Sequence, residues 1–411
     1  MIRILRRYPG LLFFGLLAAF FSSPGQTFLV ALFIPEMRKE FGWSQSTIAG
    51  VYSAATLVSA LILPLWGRLL DRTRLAWFAL CAGLLLVAGC VLLSRTQGIL
   101  TVFLGFLLIR NLGQGTLTMV SSTTMARAFG AIRGKALGLS NLGYPLGEAL
   151  LPAIVSAWIF TNGWRSGWLL LAGITLVAYV PWSFLLVRSE PHLKAQEEFQ
   201  FSGIAGKPAM GQPGRGWTLK QIRNDTRFYL ILGSQLVTPA FLTALFFHQA
   251  SLMAWKAWDM RIVAMAFAFF GVCRGLCSLA VGPLIDRVGA RCLYPFMLIP
   301  FLAGLFFLIF GRTVTWSFAY LACAGMTMGL GMTISGALWA ELYGTETLGT
   351  IRGISSSVIV LATAVSPPIV GVLLDSAVDP LAILYGMALL TLLGMFLGWV
   401  GCASKPEPAV P

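Results

Sequence analysis

Three ionisable side chains interrupt stretches of this 411-residue sequence that are otherwise apolar: Arg110, Glu148 and Arg274. Each falls near the centre of a run long enough to cross a bilayer. A charge at that depth costs roughly 2.5–3.5 kcal/mol on insertion scales, so it faces a cavity or a partner. Glu148 is the central carboxylate, and a short loop separates its run from that of Arg110, so an Arg110–Glu148 pair at the midplane is expected. A structural ion pair is one reading of it. The other is proton coupling: protonating Glu148 as the pair opens switches the site between neutral and ion-paired forms. Asn141, Tyr144 and Glu148 share a helix face, as do Arg110 and Gln114. Arg274 has no acid near it in its own run, with Phe270 four residues earlier. Its two-pronged donor geometry suits a substrate carboxylate, and a structural Arg bonded to backbone carbonyls is the competing reading. Gln26, Thr27, Tyr52, Asn111, Gln235 and Thr238 are candidates for lining a cavity with hydrogen-bonding groups, or for joining helices.

The elements that must position these residues follow from composition. The chain is 57% hydrophobic and 11% charged, with a mean hydropathy of +0.82, far from the roughly one-quarter charged residues of a soluble domain. Apolar runs of about 20 residues, enough to span a bilayer, recur at 10–33, 46–66, 75–94, 98–122, 134–160, 166–187, 228–250, 261–282, 292–311, 315–340, 353–374 and 380–402. The fold class expected is therefore an all-α membrane protein of twelve transmembrane helices in two pseudo-symmetric six-helix bundles.

The net charge of +14 raises the question of a nucleic-acid partner, and the placement of the basic residues answers it. With both termini in the cytoplasm, twenty of the 29 Lys and Arg fall on the cytoplasmic side, seven on the outer side, and Arg110 and Arg274 within spans. That bias is the positive-inside rule, so the charge reports orientation in a bacterial-type plasma (inner) membrane and no nucleic-acid partner is expected. The Arg-rich start and first apolar run are read as the first helix rather than a signal peptide. Seven cysteines, in or beside spans and without framework spacing, argue against disulfides. No His, Cys and carboxylate cluster has metal-ligand spacing and no nucleophile–base pair is visible, so neither an enzyme nor a bound cofactor or metal is expected.

The longest polar stretch divides the chain. Residues 1–190 form an N-terminal six-helix bundle, 191–226 a cytoplasmic linker ending in a short amphipathic helix from Trp217 to Arg223, and 227–411 a second bundle with a short tail. The halves repeat. Gly67-Arg68-Leu69-Leu70-Asp71-Arg72 matches Gly282-Pro283-Leu284-Ile285-Asp286-Arg287 at an offset of 215, and Phe129–Gly134 matches Leu348–Gly353 at an offset of 219. Two matches at nearly one offset argue for a duplicated unit. Gly67 and Gly282 are read as turn glycines where the helix leaves the membrane, with Asp71 and Asp286 placed to meet a helix N-terminus and Arg72 and Arg287 beside them.

This Gly-x-Leu-x-Asp-Arg segment and its second copy resemble the loop motif of the major facilitator superfamily. The first copy departs from it, with Thr73 where a second Gly is usual. Within the superfamily, Phe33–Trp43 with the following Ser-Gln-Ser, the Arg133-Gly134-Lys135-Ala136-Leu137-Gly138 start of span five and a lone Arg in span eight resemble the monocarboxylate transporters and the oxalate–formate exchangers. That resemblance implies that Arg274 holds a substrate carboxylate. The oxalate exchanger's second cation, in span eleven, has no counterpart in Ser355-Ser356-Ser357, which favours a singly charged substrate. The Lys of span one and Asp of span eight found in mammalian-type monocarboxylate transporters are absent too, which leaves the coupling ion open.

The function expected is secondary transport of a small organic monoanion by alternating access, as proton symport, by a monomer with its site between the halves. A proton-driven efflux antiporter for larger amphiphiles is the alternative, suggested by Gly138, Gly143, Pro145 and Gly147. A non-transporting membrane sensor is a third reading, disfavoured by the short tail. His248 and Gln249, near the outer end of span seven, suit a gate or proton-sensing point, with a solvated helix-end residue the preferred reading of His248. Trp164, Trp168, Trp255, Trp258 and Trp316 are read as an interfacial belt, and Trp339 as a candidate to close over a substrate.

Overall fold

The computed structural model describes residues 9–129, 133–189, 217–344 and 348–403, and the regular structure among them is helical throughout. Two compact units divide the chain, Met1–Pro208 and Ala209–Pro411. Among the described residues eleven helices are long and apolar enough to cross a membrane, and Pro9–Gly25 is a shorter apolar helix that supplies the twelfth element.

In the first unit, span one is Pro9–Phe20 followed by short turns of helix at Ser23–Gly25 and Thr27–Val30, and span two is Gln45–Arg72. Span three is Leu75–Ser94, and span four runs Ile99–Ile109, Arg110–Leu117 and Thr118–Phe129. Span five is Arg133–Ser140 and Gly143–Asn162, and span six is Trp164–Ile174, Thr175–Tyr179 and Val180–Ser189. In the second unit, span seven is Thr226–Phe247, span eight Met260–Val288 and span nine Ala290–Leu293, Tyr294–Phe296 and Ile299–Phe310. Spans ten, eleven and twelve are Trp316–Tyr343, Leu348–Asp375 and Pro380–Ala403. Side-chain caps start several of them: the Ser44 hydroxyl accepts from the Thr47 amide at 3.1 Å, and Asp225 and Asp259 accept from the amides of Arg227 and Arg261.

Span one is not the continuous helix expected over 10–33. Pro24 has no amide hydrogen to give, the Ser22 hydroxyl turns back to the Ala19 carbonyl at 2.7 Å, and a tight turn closes through Gly25 N to Ser22 O at 3.1 Å. Glycines press this break between two neighbours. A side-chain carbon at Gly25 would collide with the Ile109 carbonyl and the Gln114 amide of span four. Gly143 and Gly147 of span five abut the backbone of Leu16 and Phe20 and the Ser23 hydroxyl. Span four answers the break with an irregularity of its own, the π-helical stretch Arg110–Leu117, where the Thr116 hydroxyl donates to the Asn111 carbonyl at 2.9 Å.

The repeated loop motif also differs from expectation. Gly67 and Gly282 lie inside the helices Gln45–Arg72 and Met260–Val288, which continue past them, so neither is a turn glycine. The turns come later, at Thr73 in extended conformation and at Gly289 with φ +83°. Arg72 and Arg287 occupy the last helical turns, where cations face the partial negative charge of the helix end. The side chains of Asp71 and Asp286 lie outside the described residues. In the second unit Glu341, near the end of span ten, accepts from the Ala290 and Arg291 amides at 2.8 and 3.3 Å and so caps the start of span nine.

At the opposite end of the first unit, Glu40 joins spans three and six to the helix Ile34–Phe41. It accepts from Arg165 at 2.6 Å and from the Trp164 indole at 2.8 Å, while Arg165 also donates to the Ser94 carbonyl at 3.0 Å. The Arg165 hydrogen bond holds the Glu40 carboxyl below the usual glutamate range, against the opposing effect of burial.

Two predictions follow from these contacts. Gly25→Ala lowers the stability of the first unit by about 1–3 kcal/mol, as overpacking does. Gly50→Ala, with open space around it, is neutral or slightly stabilising. Thermal midpoints in detergent separate the two. Because the pKa of Glu40 is depressed on folding, its contribution is present above the unfolded glutamate pKa and is lost as pH falls through the folded value. With Arg165 and Glu40 at 37% and 42% exposure, screening keeps that contribution within about 1 kcal/mol. The midpoint difference between the parent and Arg165→Gln therefore narrows on acidification below the glutamate range.

Candidate functional site

Arg110, 4% exposed, sits where the break in span one meets the π-helical stretch of span four. The sequence pairs it with Glu148, but the structure gives it other partners. Its Nη1 donates to the Gly25 carbonyl at 3.0 Å, its Nε to Thr56 Oγ1 at 3.1 Å, and its guanidinium carbon lies 5.0 Å from the Tyr52 ring centroid. The physical reason is the break itself, which frees a carbonyl at mid-span that a continuous helix would have consumed. Tyr52 is held in turn by Thr27, hydroxyl to hydroxyl at 2.7 Å. Asn111 donates to the carbonyl and hydroxyl of Ser59 at 3.1 and 3.3 Å, and its Oδ1 is buried with no hydrogen-bond partner among the described residues.

Glu148 is 6% exposed in span five, one residue beyond the glycine that packs on Ser23. Tyr144, one turn earlier, is half-buried, and Gln26 is half-buried at the end of the span-one break. Asn141 falls in the turn between the two segments of span five and so does not continue the face of Tyr144 and Glu148 as expected.

The second unit holds a cavity of about 500 Å³ bounded by spans seven, nine, ten and eleven. Polar lining comes from Gln235 and Thr238 of span seven, Thr327 and Ser335 of span ten, and Arg352, Ser355 and Ser356 of span eleven. Apolar lining comes from Pro239, Met297, Met328, Met332, Trp339 and Ile359. No carboxylate lines it, and Arg352 is its cation. Arg352 Nη2 donates to the Gly336 carbonyl at 2.9 Å, which leaves further guanidinium donors for a ligand. The Ser355 hydroxyl donates to Gln235 Oε1 at 2.8 Å, while Gln235 Nε2 and Thr238 Oγ1 are buried with no hydrogen-bond partner among the described residues.

Of the residues expected at a substrate site, Gln235 and Thr238 line this cavity, and Trp339 is in its wall. Arg274 does not line it. It is half-buried in span eight, and Gly329 of span ten packs directly on its backbone carbonyl. The span expected over 353–374 leaves Arg352 just outside it and so holds no cation. The helix begins at Leu348, so Arg352 belongs to span eleven, and its place in the repeat opposite Arg133 was the available signal.

Two further expectations change. His248 is 1% exposed rather than solvated, with Nε2 2.8 Å from the Pro367 carbonyl. Trp168, Trp164 and Trp258 are buried, and Trp168 stacks on Phe33 at 4.0 Å, whereas Trp255 and Trp316 keep the exposure expected of an interfacial belt.

Known proteins resemble this arrangement. Monocarboxylate transporter 4 of Gallus gallus is 24% identical over 354 residues, covering 84% of this chain and 72% of that one. Monocarboxylate transporter 4 of Rattus norvegicus is 25% identical over 400 residues, covering 93% and 82%. Among solved structures, a bacterial homolog to the human lysosomal transporter Spinster, in an inward-facing and occupied conformation, superposes with a TM-score of 0.68 at 11% identity, over 97% of this chain and 98% of that one. At that identity the likeness shows the fold alone. The sequence model of the Major Facilitator Superfamily matches residues 15–273 and 252–411, which together cover nearly the whole chain. On that match the chain belongs to the Major Facilitator Superfamily.

Proposed function

We propose that the protein carries a small organic monoanion, a monocarboxylate, across the membrane by alternating access, coupled to proton symport. The observation that carries this reading is the cavity of the second unit, lined by one cation, several hydroxyl and amide groups and no carboxylate. Such a lining attracts an anion and has no counter-charge for an organic cation, which argues against the efflux antiporter. Similarity to monocarboxylate transporters over most of the chain supports the same choice.

In this reading Arg352 receives the substrate carboxylate, and Arg274, half-buried at mid-span, is a second cation on the route. Glu148, buried beside the span-one break, is the proton carrier, with Tyr144 next to it on the same helix segment. Arg110 keeps the break intact by holding Gly25 and Thr56. The bias of Lys and Arg towards one set of loops supports a bacterial-type plasma membrane with both termini in the cytoplasm, and a monomer suffices.

Uptake of a panel of labelled monocarboxylates into proteoliposomes, from pyruvate and lactate to longer alkyl and aryl acids, measured with and without an inward proton gradient, tests the reading. The parent shows gradient-stimulated uptake. Arg352→Gln and Arg274→Gln each lower it at least tenfold. Glu148→Gln abolishes stimulation by the gradient while leaving exchange of internal for external acid measurable. Arg110→Lys, which cannot reproduce the three contacts, lowers the thermal midpoint and uptake together. A well-folded parent that ignores every acid sinks the proposal, and a Glu148→Gln variant that still accumulates acid with the gradient sinks its coupling part.

A further inference from the structure

The shape of the cavity carries more than the sign of its charge. Its wall on span ten runs from Thr327 to Trp339, twelve residues of one helix and so about 18 Å. Arg352 is bonded to Gly336 near one end. Thr327 is nine residues away from Gly336, about 13 Å along the helix. Met328 and Met332 lie between these points on span ten, and Met297, Ile359 and Trp339 add to the apolar lining.

A volume of about 500 Å³ lies inside the range of roughly 300–1,000 Å³ found for sites that bury drug-sized ligands. It is on the order of fifteen water volumes. A two- or three-carbon acid seated on Arg352 leaves most of that space to water and the methionine wall unused. An acid with a long apolar body displaces water from that wall, and apolar burial drives binding. Methionine suits such a wall, because its unbranched, polarisable side chain adapts to alkyl and aromatic bodies alike.

We infer that the cavity takes a monocarboxylate with an extended apolar body, an aryl-alkyl or medium-chain alkyl acid, in preference to a two- or three-carbon acid. The inference rests on the anion-transport reading above and adds the size and shape of the anion. The carboxylate sits on Arg352 and the body extends along span ten past Gly331 towards Thr327.

Gly331 supplies the test. It lines the cavity, and a carbon added there meets open space, so a larger side chain projects without colliding with backbone. It lies five residues from Gly336, about 7 Å along the helix, deep enough to shorten the slot from the far end. Leucine at that position also has the better helix propensity.

Binding to the purified full-length protein in detergent, measured by competition against labelled 4-phenylbutyrate, compares 4-phenylbutyrate and octanoate with acetate and lactate. The parent binds the long acids at least thirtyfold more tightly than the short ones. Gly331→Leu lowers that ratio at least tenfold, and Arg352→Gln weakens long and short acids together. Short acids bound as tightly as long ones by the parent, or a ratio unmoved by Gly331→Leu, overturn the inference while leaving anion transport standing. A folded parent that binds no acid of any length overturns both.

Discussion

A guanidinium at mid-span has to find acceptors that the membrane does not offer, and in the first unit the acceptors come from structure that is broken. Arg110 is 4% exposed and donates to a backbone carbonyl at Gly25 and a hydroxyl at Thr56. The carbonyl is available because the α-helix stops at Phe20 and only a single tight turn, Ser23–Gly25, intervenes before Thr27. That break is stable because Gly25 and Gly113 let spans one and four meet backbone to backbone, and because Gly143 and Gly147 admit span five on the other side. Leaving a buried charged group short of a hydrogen-bond partner costs about 1–3 kcal/mol or more, since the group stays buried and uncompensated. Charge, break and glycines therefore stand or fall as a set.

The second unit uses the same duplicated chain differently. Its counterpart of span one, Thr226–Phe247, is a continuous helix although it contains Pro239. Both units keep buried polar atoms without a partner among the described residues, Asn111 Oδ1 in the first and Gln235 Nε2 and Thr238 Oγ1 in the second, and those two of the second belong to residues that line a cavity. A buried donor or acceptor without a partner is destabilising by about 1–3 kcal/mol. A wall built this way is stabilised by whatever supplies the missing hydrogen bonds. In the second unit the unpartnered groups belong to the same residues that a ligand in the cavity would meet.

Hydropathy and the duplicated motifs made the span count, the two-unit division and the superfamily legible, because each is carried by many residues at once. Features set by a single tertiary contact were not legible. Ser22-Ser23-Pro24-Gly25 stood in plain view, yet a window average over twenty residues hides a four-residue break. A sequence points to an acid as the partner of Arg110, because acids are scarce and visible there. Its actual acceptor is a backbone carbonyl, which every residue has and which only the fold makes available. Arg352 was missed for a boundary reason: a span edge placed at 353 instead of at Leu348 turns a wall residue into a loop residue.

The walls of the cavity are not equally fixed. At the start of span seven, Asp225 caps the helix, pairs with Arg227 at 3.0 Å and accepts from the Tyr343 hydroxyl at 3.0 Å. Tyr343 meets Trp217 edge-on and stacks on Trp339, so an aromatic ladder fastens the end of span ten to the segment preceding span seven. Span eleven packs less of its surface against other helices, with 22% of its apolar window buried against 61% for span seven, and is tied to span seven through Ser355 to Gln235 and through the Pro367 carbonyl to His248. Yet span eleven brings Arg352, tied to span ten through the Gly336 carbonyl. A ligand shifts a conformational equilibrium only by its difference in affinity for the two states. An anion drawing on Arg352 therefore acts on the single bond from Arg352 to the Gly336 carbonyl, while the aromatic ladder at the end of span ten and the Ser355 and His248 contacts stay in place.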